Sequence, residues 1–130
     1  MKHQLIDRVY SVFSKEIPKE QSLFSSVDEI ETHLKERIDT HPVAGYITTF
    51  DHYTHTASLD NGRIPAHIKA SINVLFCFGI AIPSPEYMAV KPMSIAVVET
   101  ENSFVLSFEQ APAPSLNRIM QSWIEEILRL

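Results

Sequence analysis

The densest run of polar and ring-bearing side chains is Asp51-His52-Tyr53-Thr54-His55, in a chain with six histidines among 130 residues. A carboxylate beside an imidazole can orient the ring and raise its basicity, so the run holds the parts of an acid–base or ligand-gripping site. His52 and His55 stand three positions apart. On a strand that spacing sends them to opposite faces, whereas at a turn or strand end they converge. Neither a His-Glu-x-x-His helix nor a cysteine pair is present, so no metal site and no cofactor are expected. The plainer reading of the run is a polar strand end with no role.

Cys77 is the single cysteine and sits between Phe76 and Phe78. A free thiol in such company is a small buried hydrophobe, and nothing local supplies the cation or helix start that activates a nucleophile. Downstream, Pro83-Ser84-Pro85-Glu86-Tyr87-Met88 is a loop after an apolar run. Tyr87 and Met88 give it an apolar wall, and a pocket is expected there, close to Asp51 and His52. The candidate ligand-binding residues are therefore Asp51, His52, His55, Cys77, Tyr87 and Met88, and no catalytic residue is assigned. The glycines at 45, 62 and 79 assemble neither a phosphate loop nor a dinucleotide fingerprint, and no nucleophile elbow is present. Glu99, Glu101 and Glu109 read as the wet face and tip of an edge hairpin.

The elements that must position these residues follow from patterning. Leu5 to Ile17 places apolar residues at 5, 6, 9, 10, 12, 13 and 17, a helical spacing closed by Pro18. Ser26-Val27-Asp28-Glu29 is a capping box, after which Ile30, Leu34 and Ile38 repeat every four residues up to His41-Pro42. His33 falls at the edge of that stripe. Val43 to Thr56 is rich in β-branched and aromatic types and predicts a strand, with Tyr46, Thr48, Phe50, His52 and Thr54 on one face. Asp60-Asn61-Gly62 is a turn, and Pro65 to Ala70 reads as a short helix. Ile72 to Ile82 is nearly all apolar and predicts a central strand buried on both faces, stopped by Pro83. Met93–Glu99 and Ser103–Glu109 pair as a hairpin around Glu101-Asn102. Ser115 is placed to cap a last helix with Leu116, Ile119, Met120, Trp123, Ile124, Ile127 and Leu128 on one face.

These elements predict an α+β fold in two layers: a four-stranded, mostly antiparallel sheet packed on helices, with an extra N-terminal helix and a C-terminal helix. At 130 residues one domain over 1–130 is expected. The net charge of −5 and eleven scattered Lys and Arg residues exclude the basic face that nucleic acid or an anionic membrane requires. No apolar run is long enough to span a bilayer, the start has no secretory pattern, and one cysteine allows no intrachain disulfide. A cytoplasmic location is expected.

Several short motifs resemble a bacterial family, the domain-of-unknown-function family 302, whose fold is similar to half of the TATA-binding protein. They are Asp51-His52 after the first strand, Phe78-Gly79 ending the apolar strand, and Met88 a few residues before Pro92. The resemblance covers residues 26–112. The chain departs from it where the family's Asn-Pro after Phe-Gly is Ile80-Ala81, and it lacks the acidic-Leu-Pro segment before the last hairpin. The resemblance implies a dimeric α+β domain and no settled activity. A homodimer is also the expectation from the excess of apolar strand surface. The expected function is a homodimeric ligand-binding or interaction module without catalysis of its own. The alternative is an enzyme, or a small-ligand or metal sensor, that uses Asp51, His52 and His55 beside the 83–88 loop.

Overall fold

A computed structural model describes residues 1–129. Its N-terminus is not the expected helix. Lys2–Ile6 (β1) and Tyr10–Pro18 (β2) form an antiparallel hairpin, with Ile6 opposite Tyr10 and Lys2 opposite Ser14. Asp7 and Arg8 make the reversal at φ 53° and 61°, and the Val9 amide donates to the Ile6 carbonyl at 3.0 Å. Positive φ at both central residues gives a turn whose twist matches that of the strands it joins. Val9, Tyr10, Val12, Phe13 and Ile17 are the β-branched and aromatic types that suit a pleated surface. Strand pairing supplied by the rest of the chain overrides the helical spacing.

The other elements are α1 (Val27–Thr40), β3 (Ala44–Asp51), α2 (His52–Ala57), β4 (Ile68–Phe78), β5 (Met93–Thr100), β6 (Ser103–Glu109) and α3 (Pro114–Glu125). All strands join one antiparallel sheet in the order β1-β2-β6-β5-β4-β3. The fold is α+β, but the sheet has six strands and not four, because the residues read as an N-terminal helix supply two of them.

Both long helices lie on one face, called inner below. α1 buries Val27, Ile30, Leu34 and Ile38. Its cap is the expected Ser26, whose Oγ accepts from the Glu29 amide at 3.2 Å, while the Glu29 carboxylate accepts from the Ser25 amide at 2.9 Å. α3 buries Met120, Trp123 and Ile124. It starts without a side-chain cap: Ala113 holds the cap position, Pro114 opens the helix, and Ser115 lies inside it. The Trp123 ring stacks on Phe78 at 5.6 Å and meets Phe76 edge-on at 5.8 Å. His33 joins the helices, its Nε2 standing 3.0 Å from the Trp123 carbonyl. Each large apolar side chain in this core contributes about 1.5–3 kcal/mol by leaving water.

β4 is not buried on both faces. Ile72, Val74, Phe76 and Phe78 are buried on the inner face, whereas Asn73, Leu75 and Cys77 are half-buried on the outer one. The strand takes in Ile68 to Ala70, expected to be helical, and ends four residues early. Gly79 turns the chain away at φ +96°, leaving Ile80 and Ile82 at 91% and 73% exposure. Along β3, Tyr46 pairs with Phe76 and Thr48 with Leu75, so Ile47 is an extra, bulged residue. The bulge moves Tyr46 to the inner face beside Thr49, with their hydroxyl oxygens 2.8 Å apart, and leaves Thr48 and Phe50 on the outer one. The strand stops at Asp51, because its Oδ1 accepts from the Thr54 amide at 2.9 Å and so caps α2.

Candidate functional site

The outer face, opposite the long helices, carries a row of aligned residues through the middle of the sheet. Ser14 on β2 faces Ser107 on β6, Ser107 faces Ala96 on β5, and Ala96 faces Asn73 on β4. Three of the four side chains are small, so the sheet is hollow there. The segment from Glu86 to Pro92, which includes a short 3-10 turn, returns beside this hollow on its way into β5. Together they enclose a cleft of 560 Å³, floored by Asn73, Ser94, Ala96 and Ser107 and walled by Val90 and Pro92. Ala111 and Pro112 of the β6–α3 connector close one side, and Glu109 and Gln110 stand at the rim.

The polar groups of the floor are wired together. Asn73 Nδ2 donates to Ser94 Oγ at 3.2 Å, and its Oδ1 lies 3.3 Å from His52 Nδ1. The connector is held by Asn117 of α3, a buried amide whose Oδ1 accepts from the Ala111 amide at 2.7 Å and whose Nδ2 donates to the Ala111 carbonyl at 3.2 Å. At the rim, Ser11 Oγ donates to Gln110 Oε1 at 2.6 Å and stands 2.6 Å from His3 Nε2. Since the serine hydroxyl has one proton and gives it to Gln110, His3 is the donor to Ser11, which is not the polarity that activates a serine nucleophile.

A second cavity, of 250 Å³, adjoins the first across Val90, Met93 and Pro112. Val43, Phe78, Ile80, Pro83, Tyr87 and Leu116 give it a mainly apolar lining, and Lys91 is its one charged residue.

The residues singled out in the sequence are distributed as follows. Asp51 is the cap of α2, His52 is its first residue and His55 lies in its last turn. Phe50 lies 5.3 Å from the His52 ring and 5.4 Å from the His55 ring, and the two imidazoles are 6.4 Å apart, forming an exposed aromatic cluster. Cys77 is half-buried on the outer face opposite Gly45. Tyr87 lines the smaller cavity, and Met88, beside it in the 3-10 turn, is 38% exposed. Asp51, His52 and His55 line neither cavity, but His52 meets Asn73, whose side chain floors the larger cleft that Ala89 and Val90 also line. Asp51 is opposite Ile72 in the middle of β4, whereas the loop toward Tyr87 leaves from Phe78 at the strand's C-terminal end. At ~3.3 Å per residue, that separation along the strand is roughly 20 Å. Of the six, Tyr87 alone lines either cavity. Among the described residues no group of three or more His, Cys, Asp or Glu side chains is placed to hold a metal ion.

Sequence reading missed Asn73, Ser94, Ala96 and Ser107. One signal existed: Asn73 is the sole strongly polar residue within the apolar run from Ile72 to Ile82. The alignment of small residues across three further strands depends on register, which no local pattern encodes.

No helix of the described residues is long and apolar enough to cross a membrane. No curated protein and no solved structure matches the chain. The family that does match is not family 302, to which the short motifs are similar, although it too is of unknown function. Its model matches residues 1–129, and the chain belongs to that family of unknown function, DUF6858.

Proposed function

We propose that the chain is a small-molecule binding module without catalysis of its own, and that its ligand lies in the cleft on the outer face of the sheet. The observation that carries this reading is the hollow made by Ser94, Ala96 and Ser107 and bordered by Ala89, Val90 and Pro92. Its 560 Å³ falls in the ~300–1,000 Å³ range of sites for drug-sized molecules. Asn73, Ser94 and Ser107 supply a few converging hydrogen-bonding groups, while Val12, Val90, Pro92 and Met93 supply apolar wall. Such a lining suits a largely neutral ligand with one or two polar groups.

A homodimer belongs to the same reading. It is supported by the free edge of β1, along which Leu5 and Ile6 are 59% and 39% exposed, since an open edge can pair with a second copy. Light scattering across micromolar concentrations tests it, and a monomer throughout removes it. The alternative, chemistry by Asp51, His52 and His55 beside the 83–88 loop, is less favoured because none of the three lines either cavity.

The binding reading is tested by ligand-observed NMR with a metabolite mixture on wild type, Ala96→Phe and His55→Ala. Ala96→Phe fills the hollow, so compounds that bind wild type should lose at least tenfold in affinity there and keep it in His55→Ala. Compounds that bind all three equally place the ligand elsewhere and overturn the proposal.

A further inference from the structure

We propose that the smaller cavity is a separate site for a compact apolar carboxylate, of the size of hexanoate or phenylacetate, with the Lys91 ammonium as its anchor. This does not depend on the larger cleft being a binding site.

The placement of the ammonium carries the inference. Lys91 Nζ donates to the Phe78 carbonyl at 3.1 Å and lies 5.8 Å from the centre of the Tyr87 ring. A Cβ built on Gly79 would come 3.6 Å from the same nitrogen. Phe78, Gly79 and Tyr87 all line the cavity, so three neighbours independently place Nζ in its wall. Lys91 is half-buried. An ammonium has three protons, and the Phe78 carbonyl takes one of them. The ion pairs among the described residues belong to Lys19, His33, Arg37 and Lys69, and Lys91 makes none. A half-buried cation with unused donors in a mainly apolar wall is complementary to one oxyanion attached to an apolar body.

The ligand class follows from the rest of the lining. Val43, Ile80, Pro83 and Leu116 offer apolar contact, and the Tyr87 hydroxyl is the one further donor side chain, which disfavours a phosphate or a polyanion, since these need several donors. A volume of 250 Å³ is just below the ~300 Å³ lower bound of drug-sized sites, so the acid must be small. Gly79 keeps the approach open: at φ +96° the position disfavours any side chain, and the backbone beside Nζ stays bare. Burying the alkyl or aryl group supplies the non-directional part of the affinity, at about 0.8 kcal/mol per CH₂.

Isothermal titration of the full chain with hexanoate, hexanol and hexylammonium tests the proposal, with NMR shifts of the Gly79 and Lys91 amides locating the site. The expected result is saturable hexanoate binding that moves both amides, with hexanol at least tenfold weaker and hexylammonium silent. Lys91→Met should weaken hexanoate at least tenfold, and Lys91→Arg, which keeps the charge, should stay within about threefold. Ala96→Phe obstructs only the larger cleft and should leave hexanoate affinity unchanged, so the two sites fail or succeed separately. The proposal is overturned if wild type gives no saturable hexanoate binding. It is equally overturned if hexanol matches hexanoate, or if Ala96→Phe abolishes binding while Lys91→Met does not.

Discussion

Replacing Asn117 by alanine removes both hydrogen bonds that pin the β6–α3 connector. Asn117 is 7% exposed and Ala111 is 2% exposed, so water does not replace the lost partner. Two groups are stranded: the Ala111 amide, which donates to Oδ1 at 2.7 Å, and the Ala111 carbonyl, which accepts from Nδ2 at 3.2 Å. A buried backbone group left without a partner costs about 1–3 kcal/mol, and the carbonyl, with the longer bond, belongs at the low end. Their sum is roughly 2–4 kcal/mol, a large share of the ~5–15 kcal/mol by which a domain of this size is stable. At about 3–4 °C per kcal/mol, the midpoint of thermal unfolding falls by roughly 6–15 °C. Urea unfolding followed by circular dichroism is the assay, with the slope unchanged so that the shift in midpoint reports stability alone. Asn117→Asp keeps an acceptor for the Ala111 amide but sets an oxygen against the Ala111 carbonyl, and it should lose a comparable amount. Because Ala111 and Pro112 line the larger cleft, the same variant should also loosen ligand binding there. A loss below about 1 kcal/mol in Asn117→Ala refutes the reasoning, since the clamp would then be replaceable by solvent or by a small backbone shift.

Two further predictions concern the local geometry. Arg8→Gly relieves a left-handed backbone at φ 61° and should raise stability by about 0.5–1 kcal/mol, seen as a thermal midpoint higher by roughly 2–4 °C; a lower midpoint speaks against the β1–β2 turn. Ser26→Ala should cost about 1 kcal/mol by freeing the Glu29 amide, whereas Ser25→Ala, whose hydroxyl bond to Glu29 is exposed, should stay within about 0.5 kcal/mol; equal losses in urea unfolding would refute the cap assignment.

Where one helix or one hairpin settles the outcome, the sequence is sufficient. The helix Val27–Thr40 is legible in Ser26, Glu29 and the Ile30, Leu34, Ile38 repeat, because capping and periodicity act within a few residues. The β5–β6 hairpin is legible for the same reason, through the alternation of Phe104, Leu106 and Phe108 around a short turn. Leu5–Ile17 is the counterexample: its apolar spacing fits a helix, yet β6 stands ready to pair with it, from Val12 opposite Glu109 to Pro18 opposite Ser103. Nothing local announces that partner, and the Asp7-Arg8 turn lacks the glycine that marks most hairpins of this kind.

The candidate sites divide in the same way. The loop near Tyr87 is legible as a place for a cavity; most of the side chains that line it are not. Antiparallel pairing of β3 with β4 sets Asp51 opposite Ile72 in mid-strand, six residues before the loop leaves at Phe78, a fact of topology that sequence adjacency hides. The row of Ser14, Ser107 and Ala96 exists only because β2, distant in the chain, takes up a register on the β5–β6 hairpin. The sequence by itself determined which segments could be helical and which residues seek the core, since those preferences are carried by a few neighbouring side chains. Tertiary structure alone decided the six-stranded sheet, the face left open and the side chains that meet there, because strand pairing joins groups that no short-range interaction couples.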